Sequence, residues 1–229
     1  MKITYLHHSG FSVETETKVL LFDYYTEGGR KAYFDPAAYP DKAVFVFVSH
    51  AHEDHYDRRI LSWAKLPNVR YVLSFDVRTE AGFEGRVLRA EPHRTYDFDG
   101  ISIQTLRSND EGVAFLVKAD GKTIYHAGDL NWWHWNGEPD DFNADIEKSY
   151  TTEINRLKDE KIDDAFVPAD LRLQDKYFWA VNYFLKTVGA KRLFPMHFWG
   201  RFDVCTMLRQ LGYGETIAEI TQENEKFEI

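Results

Sequence analysis

A run of five consecutive apolar residues at positions 44–48 most constrains what this chain can fold into. Valine alternates with phenylalanine there, and no position is polar. A strand with one face in solvent alternates apolar with polar side chains, whereas an unbroken apolar run is typical of a strand that is buried on both faces. We therefore expect a sheet with other structure packed above and below it.

Short β-prone runs and helical periodicities surround this strand. The β-prone runs predict strands at residues 3–6, 11–15, 19–22, 69–75, 101–106, 113–117, 123–125, 165–167 and 192–194, and terminal strands near 216–220 and 227–229. Apolar side chains at helical spacing predict helices over residues 57–65, 142–157, 178–188 and 203–211. Asp120-Gly121 predicts a tight hairpin. This order favours an α/β fold with two sheets packed face to face and helices outside, in a single domain over residues 1–229.

Composition narrows the classes of function. The chain has 229 residues, and its 28 Lys and Arg against 37 Asp and Glu give a formal charge of −9, which argues against a nucleic-acid binder that neutralises phosphates. The 44% of hydrophobic residues supplies a core. Cys205 is the single cysteine, so an internal disulfide and a thiolate metal site are excluded and a reducing, cytoplasmic location is expected. No apolar run approaches the roughly 20 residues of a membrane span.

The apolar strand is followed directly by a histidine-rich segment, residues 49–55, which reads SHAHEDH. It has the form His-x-His-x-Asp-His, with imidazoles at His50, His52 and His55 and a carboxylate at Asp54. Imidazole nitrogen and carboxylate oxygen are the usual ligands of zinc and related divalent metals. In a tight loop, residues two apart point the same way, so this motif can supply ligands to two neighbouring metal positions.

At these residues the chain resembles the metallo-β-lactamase-fold hydrolase superfamily, whose hallmark is this loop. Further matches follow in the expected order: a strand ending in Asp23, a strand leading to Gly128-Asp129, and His197 after a late strand. The segment His8-Ser9-Gly10-Phe11 resembles the branch with ascorbate-6-phosphate lactonase-like and phospholipase D-like members. The resemblance implies a four-layer αββα sandwich of two mixed β-sheets with helices on the outer faces.

The resemblance also implies roles for individual residues. His50 and His52 would bind a first metal, Asp54 and His55 a second. Asp129 would bridge the two ions, and His197 would complete the second site. Asp23 would orient the loop by hydrogen bonds, and His8 would lie at the rim of the site, near the substrate or the metal-bound water. The expected cofactor is one or two divalent ions per chain, zinc first, with manganese or iron as alternatives.

One feature of the family is absent. Its members supply a third histidine to the first metal from a segment that corresponds to residues 105–112, and this chain has none there. Asp110 or Glu111 could substitute as an oxygen ligand, which favours a harder metal such as manganese. The first position could instead be weakly held or empty, which leaves a one-metal enzyme, or the hydrolytic site could have decayed. These alternatives stay open at this point.

Taken together, the motifs predict hydrolysis of an ester, lactone, amide or phosphoester bond in a small molecule by metal-activated water. Asp54, His8 and His134 are the candidate catalytic groups, with His134 as a proton donor in an aromatic segment after Asp129. Arg107, Arg172 or Arg201 could receive an anionic group of the substrate. The alternatives are redox chemistry on the same fold, disfavoured because His52 stands where the diiron members carry glutamate, and a non-catalytic protein that binds a ligand or metal.

Overall fold

The computed structural model of the chain describes residues 1–29, 31–81, 83 and 85–229, and it places two mixed β-sheets face to face. The first sheet has the strand order β13-β1-β2-β3-β4-β5-β6. Its strands are β1 (Lys2–His7), β2 (Gly10–Glu14), β3 (Lys18–Phe22), β4 (Ala43–Val48), β5 (Val69–Ser74), β6 (Val87–Ala90) and β13 (Lys226–Glu228). Strands β3 to β6 run parallel to one another, and the other neighbours in this sheet are antiparallel.

The second sheet has the order β12-β11-β10-β9-β8-β7. Its strands are β7 (Thr95–Phe98), β8 (Ile101–Arg107), β9 (Val113–Ala119), β10 (Lys122–His126), β11 (Asp164–Pro168) and β12 (Arg192–Met196). Strands β10, β11 and β12 are parallel, whereas β7 to β10 form antiparallel hairpins. The predicted hairpin at Asp120-Gly121 joins β9 to β10, and both residues have positive φ angles. The predicted α/β fold of two mixed sheets with helices is confirmed.

Helices cover the outer faces of the two sheets. The α-helices are α1 (Asp140–Asn155), α2 (Trp179–Thr187) and α3 (Asp203–Leu208), and they pack into the core of the second sheet. Short 3₁₀ helices occupy Pro36–Ala38, Arg58–Lys65, Leu171–Lys176 and Gly214–Thr216, and a π-helical turn occupies Arg209–Tyr213. No helix among the described residues is long and apolar enough to cross a membrane.

Three predicted elements were wrong in detail. The helix predicted at 57–65 is a 3₁₀ helix, in which Ile60 and Trp63, three residues apart, share one face towards the first sheet. The helix predicted over 203–211 loses α-geometry after Leu208, and Gly212 follows with a φ of 99°. The strand predicted near 216–220 is a single bridge at Ile217, because Glu219 turns outward to Arg209. Strands β6 and β7 were not predicted.

Strand β4 is buried on both faces, as its apolar run predicts. Phe45 and Phe47 project between the two sheets, and the Phe47 ring meets Phe115 of the opposite sheet edge to face, with centroids 5.2 Å apart. The valines of the same strand face the other way, into a second cluster that includes Ile60 of the outer 3₁₀ helix. Burial of each phenylalanine stabilises the fold by roughly 1.5–3 kcal/mol.

The single domain over residues 1–229 stays a prediction.

The strand directions bring chemistry-bearing residues to one edge of the sandwich. Strands β1, β3 and β4 of the first sheet end at the same edge as β10, β11 and β12 of the second. The residues that follow these strands include His8, Asp23, His50–His55, Asp129, Asp170 and His197. Because carboxyl ends of parallel strands meet, side chains far apart in the sequence converge there.

Gly112 lies where backbone from two segments meets, and it predicts a stability difference. Its φ is 70°, and a Cβ atom would overlap the carbonyl oxygen of Ser49 and lie 2.6 Å from His50 Cβ. Gly121 has nearly the same φ, 72°, with open space around it. We expect Gly121→Ala to lower the free energy of unfolding by about 1–2 kcal/mol through backbone strain. Gly112→Ala should cost a further 1–3 kcal/mol, roughly, because of the overlap.

Urea denaturation of both variants checks this prediction. The Gly121→Ala protein is the matched control, since it carries the strained φ without the overlap. Equal losses of unfolding free energy in the two variants would show that the backbone at Gly112 relaxes freely, and that its close approach to Ser49 is not needed to hold the loop.

Candidate metal centre

The carboxylate of Asp23, the residue that follows β3, is hydrogen-bonded to the loop at residues 49–55. The Ser49 backbone N–H donates to Asp23 Oδ1 at 2.7 Å, and the Ser49 hydroxyl donates to Oδ2 at 2.6 Å. The Nδ1–H of His55 donates to the same Oδ2 at 2.7 Å. Asp23 and His55 are fully buried. The role expected for Asp23, orienting the loop by hydrogen bonds, agrees with these contacts.

The Ser49 hydroxyl extends this support to a second imidazole. Because its hydrogen points to Asp23, the hydroxyl oxygen is left to accept from Nδ1–H of His50, 2.9 Å away. That bond fixes the tautomer of His50 and turns the lone pair of Nε2 away from Ser49. Both His50 and His55 therefore present Nε2 to the interior of the site, with Nδ1 tied to a carboxylate directly or through a hydroxyl.

His197 is supported in the same way by Asp170, which follows β11. Its Nδ1–H donates to Asp170 Oδ2 at 2.9 Å. Arg172 donates to the same carboxylate through its backbone N–H and its guanidinium, at 2.8 Å from Nε and 2.5 Å from Nη2. These contacts lower the pKa of Asp170 to about 2 against the opposing effect of burial, so this carboxylate is charged.

Asp129 lies between the imidazoles and presents one oxygen to each side. Its Oδ2 is 3.6 Å from His50 Nε2. Its Oδ1 is 3.2 Å from His55 Nε2 and 3.5 Å from His197 Nε2. A carboxylate with each oxygen facing a different group of nitrogens has the geometry of a bridge between two positions.

The second of these positions is surrounded by His55, His197, Asp54 and His8. Asp54 Oδ2 lies 4.0 Å from His55 Nε2, 3.9 Å from His197 Nε2 and 3.3 Å from His8 Nε2. One donor atom from each of the four residues lies within 4.8 Å of the other three. His8 is 1% exposed, so it lies inside the wall of the site and not at the rim where it was expected.

The first position is formed by His50, His52 and Asp129, and it also receives Asp110. His50 Nε2 and His52 Nδ1 are 3.0 Å apart. Donor atoms of His52, Asp110 and Asp129 all lie within 4.8 Å of one another. Glu111 instead approaches His52 Nε2, 3.5 Å away, on the more exposed side of that ring. Of the two acidic residues that could replace the missing histidine, Asp110 is the one within the donor cluster.

The cluster fits a divalent metal by its unpaired atoms and its spacing. The buried atoms Nδ1 and Nε2 of His8, Nε2 of His55 and Oδ1 of Asp129 have no aligned hydrogen-bond partner among the residues that the structure describes. Buried polar atoms are rarely left unpaired, so these atoms point to a ligand. Two donors on one ion, each about 2.1 Å from it, lie roughly 3–4.2 Å apart, as these nitrogen and oxygen atoms do.

Burial and mutual charge shift the pKa values within the cluster. Burial lowers the pKa of His8 to about 3, and burial together with the charge of His55 lowers that of His50 to about 4. Burial opposes ionisation of both Asp129 and His55, but their attraction outweighs it: the pKa of Asp129 lies well below its ordinary value and that of His55 well above. A metal ion bound here would replace the proton on His55 Nε2, since metal ions bind imidazole in its neutral form.

A cavity of about 460 Å³ opens onto the cluster. Residues from both metal-binding positions line its polar side, and mostly aromatic residues line its apolar side. The lining residues are His52, Asp54, Asn109, Asp110, Asp129, Trp133, Trp135, Phe142, Ile146, Arg172, His197 and Trp199. The Trp133 indole N–H donates to the backbone oxygen of Asp129 at 2.9 Å, which anchors the aromatic segment to the metal-binding side. This volume is typical of sites for small molecules.

Other residues singled out from the sequence lie elsewhere. The ring of His134 packs against Trp179 with centroids 4.9 Å apart, outside the described residues that line the cavity, so the structure does not support its predicted role as a proton donor. His126 is buried, with Nε2 bonded to Ser9 O and Nδ1 accepting from Gly128, as a structural residue would be. Arg201 pairs with Asp203 on the surface.

Two supporting residues were not identified from the sequence. They are Asp170 and Ser49, whose hydroxyl links Asp23 to His50. Asp170 lies two residues beyond the end of β11, close to the position that Asp129 has three residues beyond the end of β10. A carboxylate at that place, next to the strand that leads to His197, was a signal that could have identified it. Ser49 offered no such signal, because a serine before a histidine is common.

Comparison with known proteins agrees with this arrangement. A family model described as beta-lactamase superfamily domain matches residues 2–146, which include the loop and Asp129. The chain belongs to the metallo-β-lactamase superfamily. Among curated members, a UPF0173 metal-dependent hydrolase of Pyrococcus abyssi is 30% identical over 142 residues, which cover 56% of this chain and 61% of that protein. The aligned part thus spans less than two thirds of that relative.

Solved structures of the superfamily share the fold over the whole chain. A novel metallo hydrolase from the archaeon Ignicoccus hospitalis, Igni18, superposes with a TM-score of 0.67 at 16% identity, covering 100% of this chain and 98% of that one. CmlA, a diiron β-hydroxylase from Streptomyces venezuelae, gives a TM-score of 0.61 at 11% identity, covering 100% of this chain and 54% of that one. A metallo hydrolase and a diiron β-hydroxylase thus share this fold, so the residues of the site, and not the fold, have to decide the reaction.

The support of the loop by Asp23 leads to a prediction. Asn at this position keeps the size but replaces one acceptor oxygen with an NH₂ donor. Either the bond from the Ser49 N–H or the two bonds from the Ser49 hydroxyl and His55 are then lost. We expect Asp23→Asn to weaken binding of divalent metal by roughly 10–100-fold while the fold is retained. Competition with a chromophoric chelator measures the affinity, and circular dichroism checks the fold.

Asp163→Asn is the matched control. Asp163 accepts from Thr123 N–H at 2.9 Å and from Lys191 Nζ at 2.7 Å, at the opposite end of β11 from the site. Its substitution should lower stability without changing metal affinity. Equal metal affinity in Asp23→Asn and the unmodified protein would contradict the role given to Asp23.

Proposed function

We propose that this protein is a metal-dependent hydrolase that uses two divalent ions to cleave an ester, lactone, amide or phosphoester bond in a small molecule. The observation that carries the proposal is the position of Asp129. Oδ2 faces His50, whose outer nitrogen is bonded to the Ser49 hydroxyl, and Oδ1 faces His55 and His197, whose outer nitrogens are bonded to buried carboxylates. The relative named as a metal-dependent hydrolase supports the same activity.

The first ion would be held by His50, His52, Asp110 and Asp129. Asp110 takes the place of the imidazole that the family leads one to expect, because it is the acidic residue within reach of both His52 and Asp129. Two imidazoles with two carboxylates form a donor set richer in oxygen than three imidazoles with one carboxylate. Such a set suits manganese or iron as well as zinc.

The second ion would be held by Asp54, His55, Asp129 and His197, with His8 as an additional donor. Support for His8 comes from its burial, its two unpaired ring nitrogens and the 3.3 Å between its Nε2 and Asp54. This position has the larger number of imidazoles, so we assign it the tighter-bound ion. The narrower resemblance to lactonase-like and phospholipase D-like members stays a prediction.

Divalent ions at these positions would lower the pKa of a bound water towards neutrality and polarise the bond to be cleaved. The residues contribute by positioning. The carboxylates of Asp23 and Asp170 fix the imidazole tautomers, and Trp133 holds the backbone of Asp129 in place. The cavity of about 460 Å³ confines the substrate beside the cluster. A non-catalytic, ligand-binding protein is the alternative.

Hydrolysis by the unmodified protein and by variants of the cluster tests the proposal. A panel of aryl esters, lactones, amides and phosphodiesters is assayed after the purified chain has been loaded with zinc, manganese or iron. We expect turnover of at least one class, and a loss of roughly a thousand-fold in kcat/KM in Asp129→Ala and His55→Ala, since metal catalysis supplies several kcal/mol.

His93→Ala is the control for general effects of removing an imidazole. His93 bonds to Glu153 at 2.8 Å, away from the cluster, so its substitution should leave turnover unchanged. If no substrate is hydrolysed with any metal, or if Asp129→Ala retains full activity, the proposal fails and the ligand-binding alternative is favoured.

The number of metal ions bound per chain shows whether Asp110 or Glu111 is the oxygen ligand of the first position. We expect the unmodified protein to bind about two ions per chain in equilibrium dialysis against manganese or zinc, Asp110→Ala about one, and Glu111→Ala about two. The reason is that Asp110 lies within the donor cluster, whereas Glu111 contacts the outer nitrogen of His52. Inductively coupled plasma mass spectrometry of the dialysed protein gives the counts.

His8→Ala is the contrasting variant, since it removes a donor from the other position. It should weaken the tighter-bound ion and leave the weaker one unchanged. If Asp110→Ala bound two ions, or Glu111→Ala bound only one, Asp110 would not be the oxygen ligand. The first position would then not be completed by Asp110.

A further inference from the structure

A single arginine lines the described part of the cavity, and its position is unusual for a surface residue. Arg172 is the second residue of the 3₁₀ helix Leu171–Lys176 after β11 and is about half exposed. Its guanidinium lies over the ring of Trp199, 5.2 Å from the centroid, and over that of Trp135, 5.8 Å from the centroid. The cation is therefore held between two aromatic side chains that line the same cavity as the metal-binding residues.

Asp170 fixes the orientation of this guanidinium without using all its donors. Nε and one Nη2 hydrogen point to Asp170 Oδ2, at 2.8 and 2.5 Å. An arginine carries five N–H donors. Nη1 and the second Nη2 hydrogen have no protein acceptor among the described residues and are available to a ligand in the cavity. A guanidinium held in one orientation loses little entropy when it binds a planar anion.

The walls beside Arg172 are apolar and flat. Trp133 and Trp135 stack with centroids 6.0 Å apart and planes 3° apart. Trp199 and Phe142 also line the cavity, with 48% and 42% of their surfaces exposed. Large aromatic side chains are usually buried, so exposed rings that line a cavity beside a candidate catalytic centre favour a ligand with an apolar, planar body.

The charge of the cavity agrees with an anionic ligand once metal is present. Asp54, Asp110 and Asp129 give the cavity three negative charges, and two divalent ions would more than offset them. Arg172 then adds a cation at the aromatic end. This step rests on the proposed function, because the carboxylates without metal would repel an anion. One guanidinium, already shared with Asp170, matches the single charge of a carboxylate better than the double charge of a phosphate.

We propose that Arg172, with Trp135 and Trp199, forms a substrate-binding subsite for a carboxylate. The substrate class is a small aromatic or otherwise planar acid that carries the hydrolysable bond at its other end. Its carboxylate binds the guanidinium, its planar body lies along the tryptophans, and the bond to be cleaved reaches the cluster at Asp129.

Two matched esters test this proposal. 4-Acetoxybenzoate and 4-acetoxybenzamide carry the same acetyl ester on the same ring and differ in charge. In the metal-loaded protein, we expect kcat/KM for the acid to exceed that for the amide, and Arg172→Gln to reduce this ratio at least tenfold, since a charge-assisted hydrogen bond is lost. The ratio is used because loss of Arg172 also removes a partner of Asp170 and lowers both rates.

Arg201→Gln is the matched control. Arg201 pairs with Asp203 two residues away through Nε and Nη2, as Arg172 pairs with Asp170, but it lies on the surface. Its substitution should leave the ratio of the two esters unchanged. Metal content is measured in each variant, so that weaker support of His197 is not mistaken for loss of the carboxylate contact.

Binding without turnover separates failure of this proposal from failure of the proposed function. Tryptophan fluorescence of the metal-loaded protein is titrated with 4-hydroxybenzoate and with 4-hydroxybenzamide. A dissociation constant for the acid that rises at least tenfold in Arg172→Gln, with little change for the amide, supports the subsite even if no ester is cleaved. Hydrolysis with the same ratio in both proteins, or equal binding of acid and amide, overturns the subsite and leaves the hydrolase proposal standing.

Discussion

The carboxylate of Asp23 connects the fold to the site more directly than any other group. Asp23 directly follows β3. Its carboxylate accepts two hydrogen bonds from Ser49, the first residue after β4, and one from His55, the last imidazole of the loop. In a fully buried position a charged carboxylate is costly unless it is paired and hydrogen-bonded. Ser49 and His55 satisfy it, and the same bonds fix the loop. The loop geometry thus follows from the requirement to satisfy one buried charge.

Three residues of the site have a strained backbone. His8, Asp23 and His197 have positive φ angles of 56°, 41° and 61°, a region that non-glycine residues rarely adopt. His197 also donates its backbone N–H to the carbonyl of His8, at 3.3 Å, which links the ends of β12 and β1. Strain of about 1–3 kcal/mol per residue persists only where surrounding contacts over-determine the backbone. The two packed sheets supply those contacts, and as a result imidazoles from three segments converge with Asp129 from a fourth.

Much of this arrangement could be predicted from the sequence, because the signals were local. The apolar run of β4 predicts burial on both faces, and the motif after it places imidazoles on a loop at a strand end. Supporting contacts were harder to predict, since they join distant segments: the resemblance implied the role of Asp23, but Asp170, which reaches His197 across 27 residues, was missed. The position of His8 was misjudged for the same reason. Its ring packs against His197 and Trp199, with centroids 4.2 and 4.3 Å apart, and both of these residues come from a distant segment.

The replacement of an imidazole by Asp110 gives the two positions different character. The side with His8, His55 and His197 is rich in nitrogen, and the side with Asp110 and Asp129 is rich in oxygen. Burial and the charge of Asp129 raise the pKa of Asp110, and a nearby cation would favour its charged form. The two positions would therefore bind their ions with unequal affinity, although both lie beside the same cavity. Arg172, at the aromatic end of that cavity, would orient a substrate towards Asp129, which the two positions share.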